Sequence, residues 1–360
     1  MTQIKNYINK IGIYLVVYNS LIVAGCVDRI PVNIKGEQTL NLVFDGRLIY
    51  GDPTYVYLSV AHLLDFAQSR TLLIAVDQVI LRNSLGQSKS LAYIKYGYYE
   101  AVIHPQDPDF TIIPGLDFQI VLSLADGRRY ESRAEKLLPS NKQGYLNYEI
   151  VNREIKDRVT GLFQYDHRLQ FNLHTSFVDP INLTRKQKYK YEYNFTFKFT
   201  DNEEKVCYIR GELELNKINH LSGRDFSEDT VNYPLYQSAF SYRFYEGAYF
   251  TVYQQTLSDA AYEYWQKADQ LISRDGSMFE APPGRIKGNF YGSDHPEEVF
   301  GYFYATTQDT FRLYMPSEVI SSPYQNYCEF INSRGISFFL CANCLDGTNS
   351  SLEKPVWWVE

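Results

Sequence analysis

Between Lys188 and Phe199 the chain alternates without interruption. Tyr189, Tyr191, Tyr193, Phe195, Phe197 and Phe199 fall on one side; Lys188, Lys190, Glu192, Asn194, Thr196 and Lys198 fall on the other. Successive side chains of a strand point to opposite faces, so a period of two over this length specifies a long strand. Six large rings on one face require a second layer to cover them, while the polar side reads as a wet face. Asp201-Asn202-Glu203-Glu204 is a turn, and the run Lys205 to Leu215 predicts a hairpin partner.

The aromatic excess extends this reading to the whole chain. With 32 Tyr and 22 Phe, the sequence is rich in residues that favour pleated, half-buried surfaces, and most of these rings must be scaffold. A minority is expected on a surface that stacks on sugars or on a partner protein. Short alternating runs fill Leu40 to Arg133: Thr54–Val60, Leu72–Leu81, Lys89–Tyr96, Tyr98–Ile103 and the stretch around Phe118 to Leu124. Asp126-Gly127 turns that last run back through Arg128 to Arg133. About seven strands at this spacing predict a β-sandwich of immunoglobulin or transthyretin type.

Leu138 to Gly144 is polar and rich in breakers, which places a boundary there. The expected organisation is a β-sandwich at 37–138 and a larger β-rich domain at 145–360. In the second, Glu149–Ile155, Arg158–Tyr165, Arg168–Phe177, Tyr249–Gln255, Arg285–Phe290, Val299–Thr306 and Asp309–Tyr314 read as strands. One segment has helical period. Ser258 is placed to cap a helix to about Ser273, on which Ala261, Tyr264, Trp265, Ala268, Leu271 and Ile272 form one apolar stripe. The overall expectation is a mostly β protein with a single amphipathic helix at about 258–273.

The N-terminus carries an address. Lys5 and Lys10 precede the apolar run Ile11 to Val17, and Leu21-Ile22-Val23-Ala24-Gly25-Cys26 ends in two small residues and a cysteine. That order is a bacterial lipoprotein signal: peptidase needs small side chains before the cut, and the Cys26 thiol receives the lipid. The run is too short to span a bilayer, which asks for about 20 apolar residues. Residues 1–25 are then a signal peptide, 26–36 a tether, and the mature chain is anchored in the outer membrane, on its periplasmic or cell-surface side. The chain carries a net charge of −7, and loss of the two signal lysines takes it to −9. This acidity argues against nucleic acid as a partner. Arg128, Arg129 and Arg133 read as a solvated strand face.

Four cysteines remain: Cys207, Cys328, Cys341 and Cys344. An even number in an exported chain predicts two disulfides, with three pairings open. Cys328 is expected to join Cys341 or Cys344, because Cys341 and Cys344 are too close together to tie down much chain. Cys341-Ala342-Asn343-Cys344 lies in a polar loop, unlike a redox motif that opens a helix, and no fourth zinc ligand is evident. There is no G-x-S-x-G, G-x-G-x-x-G, phosphate-binding loop or H-E-x-x-H. His295-Pro296-Glu297-Glu298 lacks a second histidine, and His62, His104, His167, His174 and His220 are scattered. Asp107-Pro108-Asp109 falls short of a calcium loop. No catalytic residue, metal or cofactor is therefore assigned, and with 42 acidic residues a glycosidase-like carboxylate pair cannot be picked out from sequence.

Several segments together resemble a family of Bacteroidota lipoproteins known as domain of unknown function 4249. They are the lipobox followed by Val27-Asp28, Pro114 to Phe118, and Asp126 to Ser132. More specific are Gln254 to Trp265, Pro282 to Phe290, Val299 to Phe303, and Cys341 to Cys344 with Lys354-Pro355-Val356-Trp357-Trp358. The resemblance implies a non-enzymatic accessory to a TonB-dependent outer-membrane transporter, acting in ligand capture or uptake. It carries no catalytic residues over. The alternatives are a surface hydrolase of glycans or peptides and a structural envelope or assembly factor.

Overall fold

The computed structural model describes residues 42–62, 72–74, 76–156, 161, 163–213, 217–273, 286–292, 299–320 and 323–359. Cys26, the signal peptide, Pro282-Pro283-Gly284 and His295 lie outside the described residues. In chain order the strands are β1 (Leu42–Tyr50), β2 (Thr54–His62), β3 (Leu72–Leu73), β4 (Val76–Asn83), β5 (Ser88–Ser90), β6 (Ala92–Lys95) and β7 (Tyr98–Ile103). Next come β8 (Asp117–Leu124), β9 (Arg129–Ser132), β10 (Glu135–Lys136), β11 (Gly144–Lys156), β12 (Phe163–Ser176), β13 (Lys188–Thr200) and β14 (Val206–Glu212). The last are β15 (Asn219–Ser222), β16 (Thr230–Ala239), β17 (Ala248–Thr256), β18 (Phe290–Gly292), β19 (Val299–Phe300), β20 (Phe303–Met315) and β21 (Ser350–Ser351). Helix α1 spans Asp259–Ile272, and two short helices, α2 (Tyr327–Asn332) and α3 (Phe339–Ala342), stand in the tail that reads as irregular in sequence.

The protein is mostly β, as expected, and one long sheet organises it. Its order is β21-β14-β13-β17-β20-β1-β2-β7-β6, with β3, β15 and β19 attached. Strand β20 is the hinge of this sheet. Its first residues run parallel to β1, Phe303 beside Gly46 and Ala305 beside Leu48, while Gln308 to Met315 run antiparallel to β17. Two smaller sheets, β18-β9-β8-β4-β5 with β10 and β11-β12-β16, complete the layers.

Register shows that both smaller sheets cover the same face. Phe303 and Ala305 join Phe44, Leu48, Val56 and Leu58 in a core with Phe118, Ile120, Leu122 and Tyr130. Further along the odd-numbered side of β20, Met315 is in a second core with the β13 rings and with Leu169, Phe171 and Leu173 of β12, and Phe311 and Leu313 pack against it. The fold is thus two sandwiches fused through a shared sheet. The stretch 139–144, expected to divide two domains, links β10 to β11, and strands from both sides of it pair in that sheet.

The other face of the sheet carries α1. Ser258 caps it as expected, its Oγ accepting from Ala261 N at 3.0 Å. Ala261, Tyr262 and Ala268 are buried, whereas Ile272 is exposed, so the buried stripe is rotated towards Tyr262.

Here the sequence expectation for β13 fails. Its polar side is not wet: Lys188, Lys190, Asn194 and Thr196 are all at most 8% exposed. Helix α1 covers one end of that side, where Lys188 Nζ meets Asp259 at 2.9 Å and lies 4.9 Å from the Tyr262 ring centre. Strand alternation reports polarity, and a central strand with cover on both faces buries both sets. Other differences are smaller. The runs Arg158–Tyr165 and Arg168–Phe177 meet in one strand, β12, because β11 pairs with it continuously from Phe163 to Thr175. Asp309–Tyr314 likewise belongs to β20.

The disulfides are Cys328–Cys341 and Cys207–Cys344, with Cα–Cα distances of 5.6 and 5.9 Å. The first is one of the two pairings expected for Cys328. The second ties the tail to β14. Because Cys341 and Cys344 have different partners, the Cys-x-x-Cys spacing is not a redox pair.

Candidate functional site

Where α1 ends its cover, the sheet face opens into a cleft of about 500 Å³. That volume lies within the range of small-molecule sites. Its floor is set by register. Arg47 of β1 lies beside Tyr304 of β20 and opposite Tyr57 of β2; Asp45 lies opposite Ser59; Tyr57 and Ser59 lie opposite Glu100 and Tyr98 of β7. Lys190 and Glu192 of β13 form one wall and Trp265 of α1 another, with Ile94 and Lys95 of β6 at the far rim.

The charged groups are held in fixed positions. Glu192 accepts from Lys190 Nζ at 2.7 Å and from Arg47 Nη1 at 3.3 Å through each carboxylate oxygen. Burial pushes the Glu192 carboxyl up, but Lys190 and Arg47 outweigh it and hold it below its ordinary value. Lys190 Nζ lies 4.3 Å from the Trp265 ring centre and 5.7 Å from that of Tyr304, an aromatic corner that suits a cation. Burial opposes its charge, yet Tyr304 and Glu192 keep its pKa raised. The Tyr304 hydroxyl is fixed by donating to Gln255 Oε1 at 3.0 Å.

Asp45 behaves differently. Enclosure by the walls pushes its carboxyl above the usual range, and Lys190 and Arg47 offset this only in part. Asp45 is exposed to solvent at the cleft mouth, and the neighbouring walls only partly strip water from its carboxyl. Among the described residues it has no hydrogen-bond partner. Burial, with Asp45 nearby, also pushes the Tyr264 hydroxyl up to about 12. Trp265 Nε1 is buried without a partner. Two carboxylates in one cleft are therefore shifted in opposite directions, one neutralised by two cations and one left open.

The rim is apolar. Ile94 is more than half exposed and Tyr98 is 38% exposed under Lys95 Nζ at 4.5 Å; Tyr93 and Tyr96, also exposed, do not line the cleft, and Tyr93 packs on Tyr99. Tyr55 and Tyr57 stack at 6.1 Å along β2. These are the outward rings that composition alone could not separate from scaffold.

The other residues weighed in sequence lie elsewhere. Arg128 pairs with Asp126 and Arg129 with Glu131 on the exposed hairpin. Asp107 is engaged by Lys89 at 2.6 Å. His220 meets Tyr262 and Asp269, and His174 stacks on Tyr145. Among the described residues no three His, Cys, Asp or Glu side chains gather as a metal set. The cleft itself was not anticipated. Its only trace in sequence is a pair of opposite charges, Lys190 and Glu192, on a strand otherwise dominated by rings.

A family model described as "Domain of unknown function (DUF4249)" matches residues 27–312. No curated protein and no solved structure matches the chain.

Proposed function

The chain belongs to the family described as domain of unknown function DUF4249, and on that premise we propose that it is a lipid-anchored outer-membrane protein. In this reading it captures a ligand in the cleft for a TonB-dependent transporter and performs no chemistry of its own. The observation that carries the reading is the cleft: preset charges, aromatic walls and one unpaired carboxylate in a volume suited to a small ligand. The family match begins at Val27, directly after Cys26, which supports a mature chain starting at the lipidated cysteine. The rim of exposed tyrosines is suited to a partner, since such rings give large contact area with few rotors to freeze.

The test is a gentle-detergent pull-down from native membranes, compared with Cys26→Ser. Wild type should label with a fatty-acid analogue and recover a TonB-dependent transporter; the variant should lose the label and the membrane fraction. Repeated recovery of the protein alone would overturn the transporter role.

A second reading has one observation in its favour. Asp45 with a raised pKa and Glu192 with a lowered one form the kind of split pair that glycoside hydrolysis uses. Against it, Glu192 is neutralised by two cations, which weakens it as base or nucleophile. Release of reducing sugar by the purified protein, abolished in Asp45→Asn and Glu192→Gln, would establish hydrolysis over capture.

A further inference from the structure

Building on the reading of the cleft as a capture site, we propose that its ligand is a neutral oligosaccharide. Charge decides between ligand classes. Arg47, Lys95 and Lys190 face Asp45, Glu100 and Glu192, three of each sign, so the cleft offers no net field to select an anion or a cation. A peptide terminus, a phosphate or a carboxylated siderophore would meet an opposing charge wherever it met an attracting one. A neutral polyhydroxylated ligand meets no such penalty, because each of its hydroxyls both donates and accepts.

The unpaired carboxylate fits that ligand. The Asp45 carboxylate is an exposed acceptor with no protein donor among the described residues, and a pair of neighbouring hydroxyls can replace the water on it. Trp265 Nε1 is closed off from the cleft, so Trp265 offers the ligand its ring and no hydrogen bond. The rings meet the remaining need. The faces of a sugar ring are rows of C–H groups, and Trp265, Tyr57 and Tyr98 stand on the walls as surfaces for them to pack on. Tyr55, stacked on Tyr57 and 36% exposed, continues this surface past the mouth, so a chain longer than one sugar finds further contact there.

The test uses the full lipidated chain in detergent, probed on an array of neutral, acidic and amino-sugar glycans, with a tryptic casein digest as the peptide arm. Hits are titrated by isothermal titration calorimetry, which does not depend on Trp265 as a reporter. A neutral oligosaccharide should bind; Asp45→Ala should weaken it about tenfold or more, the loss expected for a hydrogen bond to a charged group, and Trp265→Ala should weaken it by removing the ring surface the sugar packs on. Lys354→Ala, in the tail and away from the cleft, should leave it unchanged. Binding of an acidic glycan or a peptide, lost in the same two variants, would overturn the ligand class and keep the cleft as a capture site. Binding that survives both variants, or no binding of any probe, would overturn the cleft reading as well. Circular dichroism of each variant separates loss of binding from loss of fold.

Discussion

At the scale of single residues, a buried carboxylate and a solvent-exposed one show opposite priorities. Glu135 is 3% exposed and serves the fold: it accepts from Ser258 Oγ at 2.5 Å, from the Tyr302 hydroxyl and from Asn289. It joins β10 to the cap of α1 and the strand beside it. Glu135→Ala leaves these donors unmatched and should cost about 2–3 kcal/mol in chemical denaturation, whereas Glu135→Gln keeps an acceptor and should cost less. Asp45 has no such partners, and its folded pKa lies above the unfolded value. The native state therefore holds the Asp45 proton more tightly, so its ionisation costs stability as pH rises through the window between the two values. Above that window Asp45→Asn should melt at the wild-type temperature or higher, and below it the two should converge. A melting temperature that falls at neutral pH would mean that Asp45 is there for stability. Gly301 shows a third kind of constraint. It has φ +91°, and a Cβ there would sit 2.1 Å from the Phe44 carbonyl oxygen, so glycine is required where the chain runs between β19 and β20 beside β1.

At the scale of elements, the tail is secured by cross-links as well as packing. Cys328–Cys341 closes a short loop, with a separation of 13, and joins α2 to α3; Cys207–Cys344 spans 137 residues and holds the tail to β14. In the chain-entropy model these are worth about 3 and about 5 kcal/mol, so Cys207→Ser should destabilise more than Cys328→Ser in denaturant titrations. Thiol counting on the denatured mature protein should find none of the four free. Beyond the cross-links, Trp358 packs on Tyr249 and Tyr208, and the Tyr249 hydroxyl donates to Val359 O at 2.7 Å. The tail thus covers part of the sheet face that α1 leaves open, and the cleft lies on the β1-β2-β7 side of α1.

At the scale of the whole molecule, β20 prevents a simple division. The first sandwich draws Phe290, Phe303 and Ala305 into its core from the far end of the chain, and β18 pairs with β9. Residues 37–138 expressed alone lack these strands and should give no cooperative unfolding transition and a poorly dispersed amide spectrum. A dispersed spectrum from that fragment would restore an independent first domain. The arrangement also explains the placement of the cleft: its groups come from both sandwiches, β1, β2 and β7 on one side and β13 on the other, brought together by β20.

What the amino-acid sequence determined by itself is local. Period-two alternation specified β13 and its aromatic core face, Ser258 and the helical stripe specified α1 within a residue at each end, and Asp126-Gly127 specified a hairpin. These are legible because they depend on neighbours a few positions apart. The runs that merged into β12 and β20, the unanticipated edge strand β16 with Pro234, and the burial of Lys188 and Lys190 depended on partners far along the chain. The cleft belongs wholly to that second kind. Arg47 and Glu192 stand 145 residues apart, and nothing in either neighbourhood marks them as a pair. Only the strand order, set by which apolar faces bury each other, places them within hydrogen-bond distance.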